Sequence, residues 1–233
     1  KFPMQEIESI DLKSKTIKTK EYEFNAKTII IATGAQPMKL GVSGESEFVG
    51  RGVSYCAVCD GAFYRNKVVA VVGGGNAAVE EAMYLTKFAD KVYIIHRRDE
   101  LRADKIVQER AFKNDKIEFI WNSVVKEIKG DNLVTTAVLE NVKTKEISNL
   151  SVNGVFPYIG MTPNVENISG QLQQGFVVTD ETMATSVDGI FAVGDVRTTP
   201  LRQVITAASD GAVGAVYAVK YLETHVDSEV VNL

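Results

Sequence analysis

The chain has 233 residues, 45% hydrophobic and 24% charged, which is the balance of an ordinary globular protein with room for one large domain or two small ones. A formal net charge of −4 gives no general electrostatic reason to bind nucleic acid, and the longest apolar runs, such as Val68 to Val72, are too short to span a bilayer. Lys1-Phe2-Pro3-Met4 lacks the charged-then-apolar pattern of a signal peptide, so no membrane partner and a cytoplasmic location are expected.

Thr16 to Phe24 reads as one mostly polar strand. Ala26 to Ala32 reads as a short buried strand that runs into a tight turn at Thr33-Gly34. A glycine-punctuated stretch with Pro37 follows, from Ala35 to Gly52, and is the first candidate linker. Val68 to Val72 is a valine-rich run of the kind that is buried on both faces of a sheet. Helical spacing follows over Asn76 to Phe88, then a strand over Val92 to Ile95, a helix over Ala103 to Lys113 and a strand over Ile117 to Trp121. This alternation predicts an α/β fold with a parallel sheet and crossover helices. Val134 to Leu139 and Glu146 to Leu150 read as strands of an antiparallel meander. Gly154-Val155-Phe156 leads into Gly160-Met161-Thr162-Pro163, a second candidate hinge. Short strands at Phe176 to Val178 and Ile190 to Val193 precede a long alanine- and valine-rich helix from Gln203 to Thr224.

The only two cysteines stand in Cys56-Ala57-Val58-Cys59-Asp60. Two thiols at this spacing can close a small disulfide and reopen it by exchange. A structural zinc site needs about four Cys or His ligands, and the chain has two of each, with His96 and His225 in unrelated contexts; no metal is expected. A structural bridge would close too small a loop to stabilise much. The pair is therefore read as redox-active, at the start of a helix whose N-terminus favours a thiolate. Asp60 is either a helix-start residue or the acid that serves a thiolate leaving group.

Gly73-Gly74-Gly75-Asn76-Ala77-Ala78 fits the dinucleotide turn G-x-G-x-x-A, between a strand and a helix. Gly73 permits the turn, Gly75 lets the backbone approach a pyrophosphate, and Ala78 allows close helix–strand packing. The next strand ends in His96-Arg97-Arg98-Asp99-Glu100-Leu101-Arg102, where an NAD site usually carries an acid. Arg97, Arg98 and Arg102 match a 2′-phosphate and favour NADPH over NADH. A redox dithiol and a hydride-carrier site on one chain point to disulfide reduction.

These motifs, with Thr33-Gly34, Gly160 before Pro163-Asn164, Gly194-Asp195 and Arg202-Gln203, resemble the low-molecular-weight bacterial thioredoxin reductases over essentially the whole chain. The resemblance implies two Rossmann-like nucleotide-binding domains, an NADPH domain inserted into an FAD domain. The FAD domain would take residues 1–36 and 159–233, and the NADPH domain 37–158. Asp195 would bind the flavin ribityl chain, and Arg202 and Gln203, with Val204 where the family often has alanine, would lie near the flavin ring. Cys59 would be the flavin-side thiol, Cys56 the thiol that attacks thioredoxin, and Asp60 the proton donor and acceptor. A domain rotation hinged near Gly34 and Gly160 and a homodimer are also implied. Nothing before Gly73 resembles the family's first glycine turn, so the chain is expected to start part-way through the FAD domain and to hold FAD poorly alone. The rival readings are the flavoprotein component of an alkyl hydroperoxide reductase and an isolated NADPH-binding module without turnover; the arginines argue against a ferredoxin-fed reductase.

Overall fold

The computed structural model describes residues 5–165, 172–173 and 175–225. Its contacts divide the chain into a flanking unit, Lys1–Gln36 with Thr162–Leu233, and a central unit, Pro37–Met161. The second boundary lies three residues beyond the 158/159 read from sequence.

The flanking unit begins with an antiparallel sheet of β1 (Ile7–Asp11), β2 (Thr16–Thr19) and β3 (Glu23–Asn25). The single strand expected over 16–24 is thus two, because Thr19 closes a turn: its amide donates to Tyr22 O at 2.9 Å and its hydroxyl accepts from Tyr22 N at 3.1 Å. β4 (Ile29–Ile31) buries Ile29 and Ile31, and β5 (Ala35–Pro37) leads into the central unit.

In the central unit α1 (Ala57–Asp60) runs into a 3-10 turn, Gly61–Tyr64. β6 (Val68–Val72), α2 (Asn76–Leu85), β7 (Lys91–Ile95), α3 (Lys105–Phe112) and β8 (Ile117–Ile120) follow in the expected alternation. The expected helices are longer than the observed ones. α2 stops at Leu85, where Thr86 Oγ1 donates to Met83 O at 2.7 Å, and α3 starts after Asp104. An antiparallel sheet of β9 (Ser123–Gly130), β10 (Val134–Asn141) and β11 (Ile147–Ser151) comes next, followed by β12 (Gly154–Pro157). β9 was not read from sequence, because Lys126, Glu127 and Lys129 interrupt its apolar positions. β12 is not simply a lead-in to a hinge: it pairs parallel to β6, from Gly154 against Val69 to Pro157 against Val72, and completes the order β12-β6-β7-β8. Gly154 is required there, since a Cβ would lie 2.3 Å from the Tyr64 ring.

Strand alternation sends the β6 side chains to two cores. Val69 and Val71 pack with Val79, Ala82 and Leu85 of α2, whereas Ala70 and Val72 pack with Val125, Ala137 and Leu139 of the antiparallel sheet. Helices therefore cover one face of the parallel sheet and a second sheet covers the other.

The chain re-enters the flanking unit along β13 (Met161–Pro163), paired with β5. β14 (Leu172–Gln173) and β15 (Phe176–Val177) form a short antiparallel pair. β16 (Ile190–Ala192) lies parallel to β4, and α4 (Val204–His225) follows. Met183, Phe191, Val193 and Ala218 form the small core under α4. Among the described residues no helix is long and apolar enough to cross a membrane.

Candidate active site

Cys56 and Cys59 are joined as a disulfide at the start of α1. Cys56 is the N-cap: its backbone is extended (φ −138°, ψ 96°) and its sulfur accepts the Cys59 amide at 3.1 Å. Cys59 is exposed and Cys56 half-buried. Asp60 closes α1 without capping the 3-10 turn that follows. Its carboxylate instead accepts from Ser54 Oγ at 2.6 Å, and Ser54 Oγ in turn accepts the Cys56 amide at 3.1 Å. Tyr158 was missed from sequence; its hydroxyl accepts the Ala57 amide at 2.7 Å. Ser54 was missed as well, a lone serine before the motif with no pattern to mark it.

The glycine turn lies at the end of β6. Gly73 has φ of 154°, and a Cβ there would lie 2.4 Å from Tyr158 O and 2.7 Å from Ala78 Cβ, which explains both small residues. A Cβ on Gly74 would meet the His96 ring at 2.4 Å, and the Gly74 carbonyl accepts the Arg102 amide at 2.7 Å. Gly75 is the N-cap of α2 and has open space where its Cβ would be, so the first amides of α2, at Asn76 and Ala77, are free of a side-chain cap. A cleft of about 340 Å³ opens over this turn, lined by Gly73, Gly74, His96, Arg97, Arg102 and Tyr158, among others. Glycines without Cβ atoms, two guanidinium groups and an open helix start fit the phosphates of a dinucleotide.

Other expected residues take different places. Arg98 is not part of the cleft lining; it is exposed, and its carbonyl accepts the Asn122 amide at 3.1 Å. Asn76 clasps Asp104, donating from Nδ2 at 2.8 Å and accepting the Asp104 amide at 2.7 Å, which ties the turn to the start of α3. His96 is buried, with Nε2 unpartnered; burial first, then Arg102, Arg98 and Arg97, hold its pKa below the ordinary imidazole value. The cleft also takes Met38, Leu40, Ser123 and Val124, residues that only the fold brings to it.

Gly160 also belongs to the central unit: it has φ of 140°, and its carbonyl accepts the Met38 amide at 3.0 Å.

In the flanking unit Thr33 and Gly34 are held by Asn164. Thr33 Oγ1 donates to Asn164 O at 2.6 Å, and the Asn164 amide donates to Gly34 O at 2.9 Å. Gly194, with φ of 71°, donates its amide to Asp210 Oδ2 at 3.2 Å. The half-buried Arg197 guanidinium donates to the same oxygen at 3.0 Å and fixes the turn that carries Asp195. Arg202 lies 4.1 Å over the Phe176 ring with its Nε buried and unpartnered, and burial pulls its pKa down. That orphaned donor fits a polar ligand atom. Gln203 caps the start of α4, exchanging hydrogen bonds with Thr206 Oγ1 at 3.1 and 2.8 Å, and Val204 is 87% exposed.

The family model for pyridine nucleotide-disulphide oxidoreductases matches residues 2–211. The chain belongs to this family. A thioredoxin reductase of Peptoclostridium acidaminophilum is 49% identical over 235 residues, covering 96% of this chain and 75% of that protein. One from Listeria monocytogenes is 52% identical over 213 residues, covering 90% and 67%. Among solved structures of the family, the thioredoxin reductase of Streptococcus pyogenes superposes with a TM-score of 0.83 at 51% identity, covering 94% of this chain and 73% of that one. The chain thus spans two thirds to three quarters of the length of these relatives.

Proposed function

We propose that the protein is a thioredoxin reductase that passes electrons from NADPH through FAD and the Cys56–Cys59 pair to thioredoxin. The observation that carries this reading is the joining of two devices in one unit: the disulfide sits on α1, and α1 packs against α2, the helix that opens from the glycine turn under the basic cleft. A bare nucleotide-binding module has no use for a disulfide at a helix start. The similarity to thioredoxin reductases at about half identity supports the choice of partner.

In this reading Gly73 to Ala78 and the α2 amides hold the NADPH pyrophosphate, His96 backs the turn, and Arg97 and Arg102 hold the 2′-phosphate. Thr33, Gly34, Gly194, Asp195, Arg202, Gln203 and Val204 belong to the flavin side, and Gly160, of the central unit, belongs to the cofactor-binding set as well. When bound, these cofactors supply the disulfide with two electrons. With two protons, the S–S bond becomes two thiols. Cys56, as thiolate, attacks the thioredoxin disulfide and forms a mixed disulfide; Cys59 then attacks Cys56 Sγ, restoring the internal bond and releasing the thioredoxin dithiol. Asp60, held by Ser54, gives and takes the proton at the sulfurs. The cytoplasm and a homodimer belong to the same reading.

The test is NADPH oxidation with oxidised thioredoxin in the presence of FAD. Wild-type protein turns over, and Cys56→Ser falls to background while still binding NADPH. Turnover retained by Cys56→Ser would remove the dithiol from the path, and absence of wild-type turnover with any thioredoxin, in a sample shown by absorbance to carry stoichiometric FAD, would remove the reading.

A further inference from the structure

A half-buried polar cluster stands behind the redox helix, and of its members only Asp60 has a part in the scheme above. Ala57 is fully buried, and its amide is taken by Tyr158 Oη at 2.7 Å. Tyr158 follows β12, and its own amide donates to Val72 O at 2.8 Å, so its backbone is fixed to the parallel sheet. α1 has only four residues, closed by backbone bonds from the Asp60 amide to Cys56 O at 3.0 Å and from the Gly61 amide to Ala57 O. A single turn has almost no stability of its own and keeps its geometry only if something else holds it.

The groups around the phenol come from three elements. Asp60 of α1 and Glu81 of α2 both act on it; Asp60 also acts on Tyr64 of the 3-10 turn, and Glu80 acts on Glu81. Lys67 lies 5.8 Å from the Tyr64 ring. Glu81 Oε2 is buried without a partner, and burial raises the pKa of that carboxyl. Burial, with Glu81 and Asp60 adding to it, pushes Tyr158 up to about 12 against the opposing effect of the Ala57 amide. The phenol is therefore neutral at physiological pH and serves as a hydrogen-bond acceptor rather than a titrating acid.

Resting on the reading of Cys56–Cys59 as the relay, we propose that Tyr158 is a positioning residue for the dithiol: its hydroxyl anchors α1 through the Ala57 amide, and the anchor keeps the Cys59 amide on the Cys56 sulfur. Once the disulfide has taken two electrons and one proton, leaving Cys59 as thiol and Cys56 as thiolate, that amide stabilises the Cys56 thiolate by a charge-assisted hydrogen bond. Removing the hydroxyl leaves a buried N–H unpaired. The short turn relieves that by moving Ala57 toward water, and the Cys59 amide leaves the sulfur.

The experiment reads a single thiol. In Cys59→Ser, Cys56 is the sole thiol and the backbone amide at 59 remains. The rate of alkylation by iodoacetamide is measured against pH, with and without Tyr158→Phe. The phenylalanine variant raises the pH midpoint by about half a unit to one unit. A role of the ring in packing alone leaves this midpoint unmoved, because phenylalanine keeps the ring. On an Ala57→Pro background the shift disappears, because proline has no amide to leave unpaired; Cys56 is already extended, as the residue before a proline must be. An unchanged or lowered midpoint in Tyr158→Phe, or an undiminished shift on the proline background, overturns the proposal. Where the proline variant does not fold, Tyr158→Phe alone decides. Alkylation needs neither thioredoxin nor a cofactor, so failure of the thioredoxin reading and failure of this one are seen in different measurements.

Discussion

The central and flanking units each end a buried strand on a glycine with left-handed backbone, Gly73 after β6 and Gly194 after β16, but they hold that turn by different means. At Gly73 the hold is close packing: the Tyr158 carbonyl, Ala78 and the His96 ring occupy the space where Cβ atoms of residues 73 and 74 would go. At Gly194 the hold is ionic, from Asp210 and Arg197. The supporting sheets differ in the same sense. β6 is flanked by β12 and β7 and covered on both faces, whereas β16 pairs with β4 and is otherwise met only by the isolated bridge from Ala184 to Phe191 among the described residues. Where a strand is enclosed on all sides, sterics can position its end; where it is not, charged hydrogen bonds must do so.

Three substitutions sharpen or break this contrast. The largest effect is expected at Asp210→Ala. It strips the half-buried Arg197 guanidinium of its counter-charge and the Gly194 amide of its acceptor, at a cost of about 3 kcal/mol, the low end for breaking a buried pair. Segment-resolved hydrogen exchange should show faster opening of β16 and α4 with β6 to β8 unchanged. Equal loosening of both units would mean that the ionic hold is not local. Replacing Arg197 with methionine together with Asp210→Ala should recover much of the loss, since neither charge is then left alone.

Gly73→Ala comes next. The new methyl meets a backbone carbonyl at 2.4 Å, at a φ that an L-residue rarely adopts, for a loss of about 2–3 kcal/mol. Gly75→Ala, two residues on, has open space and should stay within about 0.5 kcal/mol. Chemical denaturation of the two variants compares them directly, and similar losses would refute the packing account of the turn.

The smallest effect separates two adjacent arginines. Arg97→Ala should raise the Michaelis constant for NADPH about tenfold and leave that for NADH nearly unchanged, because Arg97 lines the cleft. Arg98→Ala should do little, because Arg98 lies outside it. Equal effects of the two would show that the basic run acts as a diffuse field and not by contact.

The sequence by itself determined what depends on local chemistry. The dithiol at helix spacing, the glycine turn between a valine strand and a helix, and the basic run after the next strand are all contiguous, so backbone geometry and residue type suffice to read them. The same holds for β6, α2, β7, α3 and β8, whose periodicities are strong. Only the tertiary structure decided how distant segments meet. β12 was hidden because four residues that end in proline carry no period, and β9 because its charges broke the alternation. Arg97 and Arg98 look equivalent in the chain and both are exposed, but only Arg97 is brought into the cleft lining. Tyr158 lies 101 residues from the amide that it holds. No local pattern can mark such a residue, because its role is fixed by the pairing of β12 with β6, which is a property of the folded sheet.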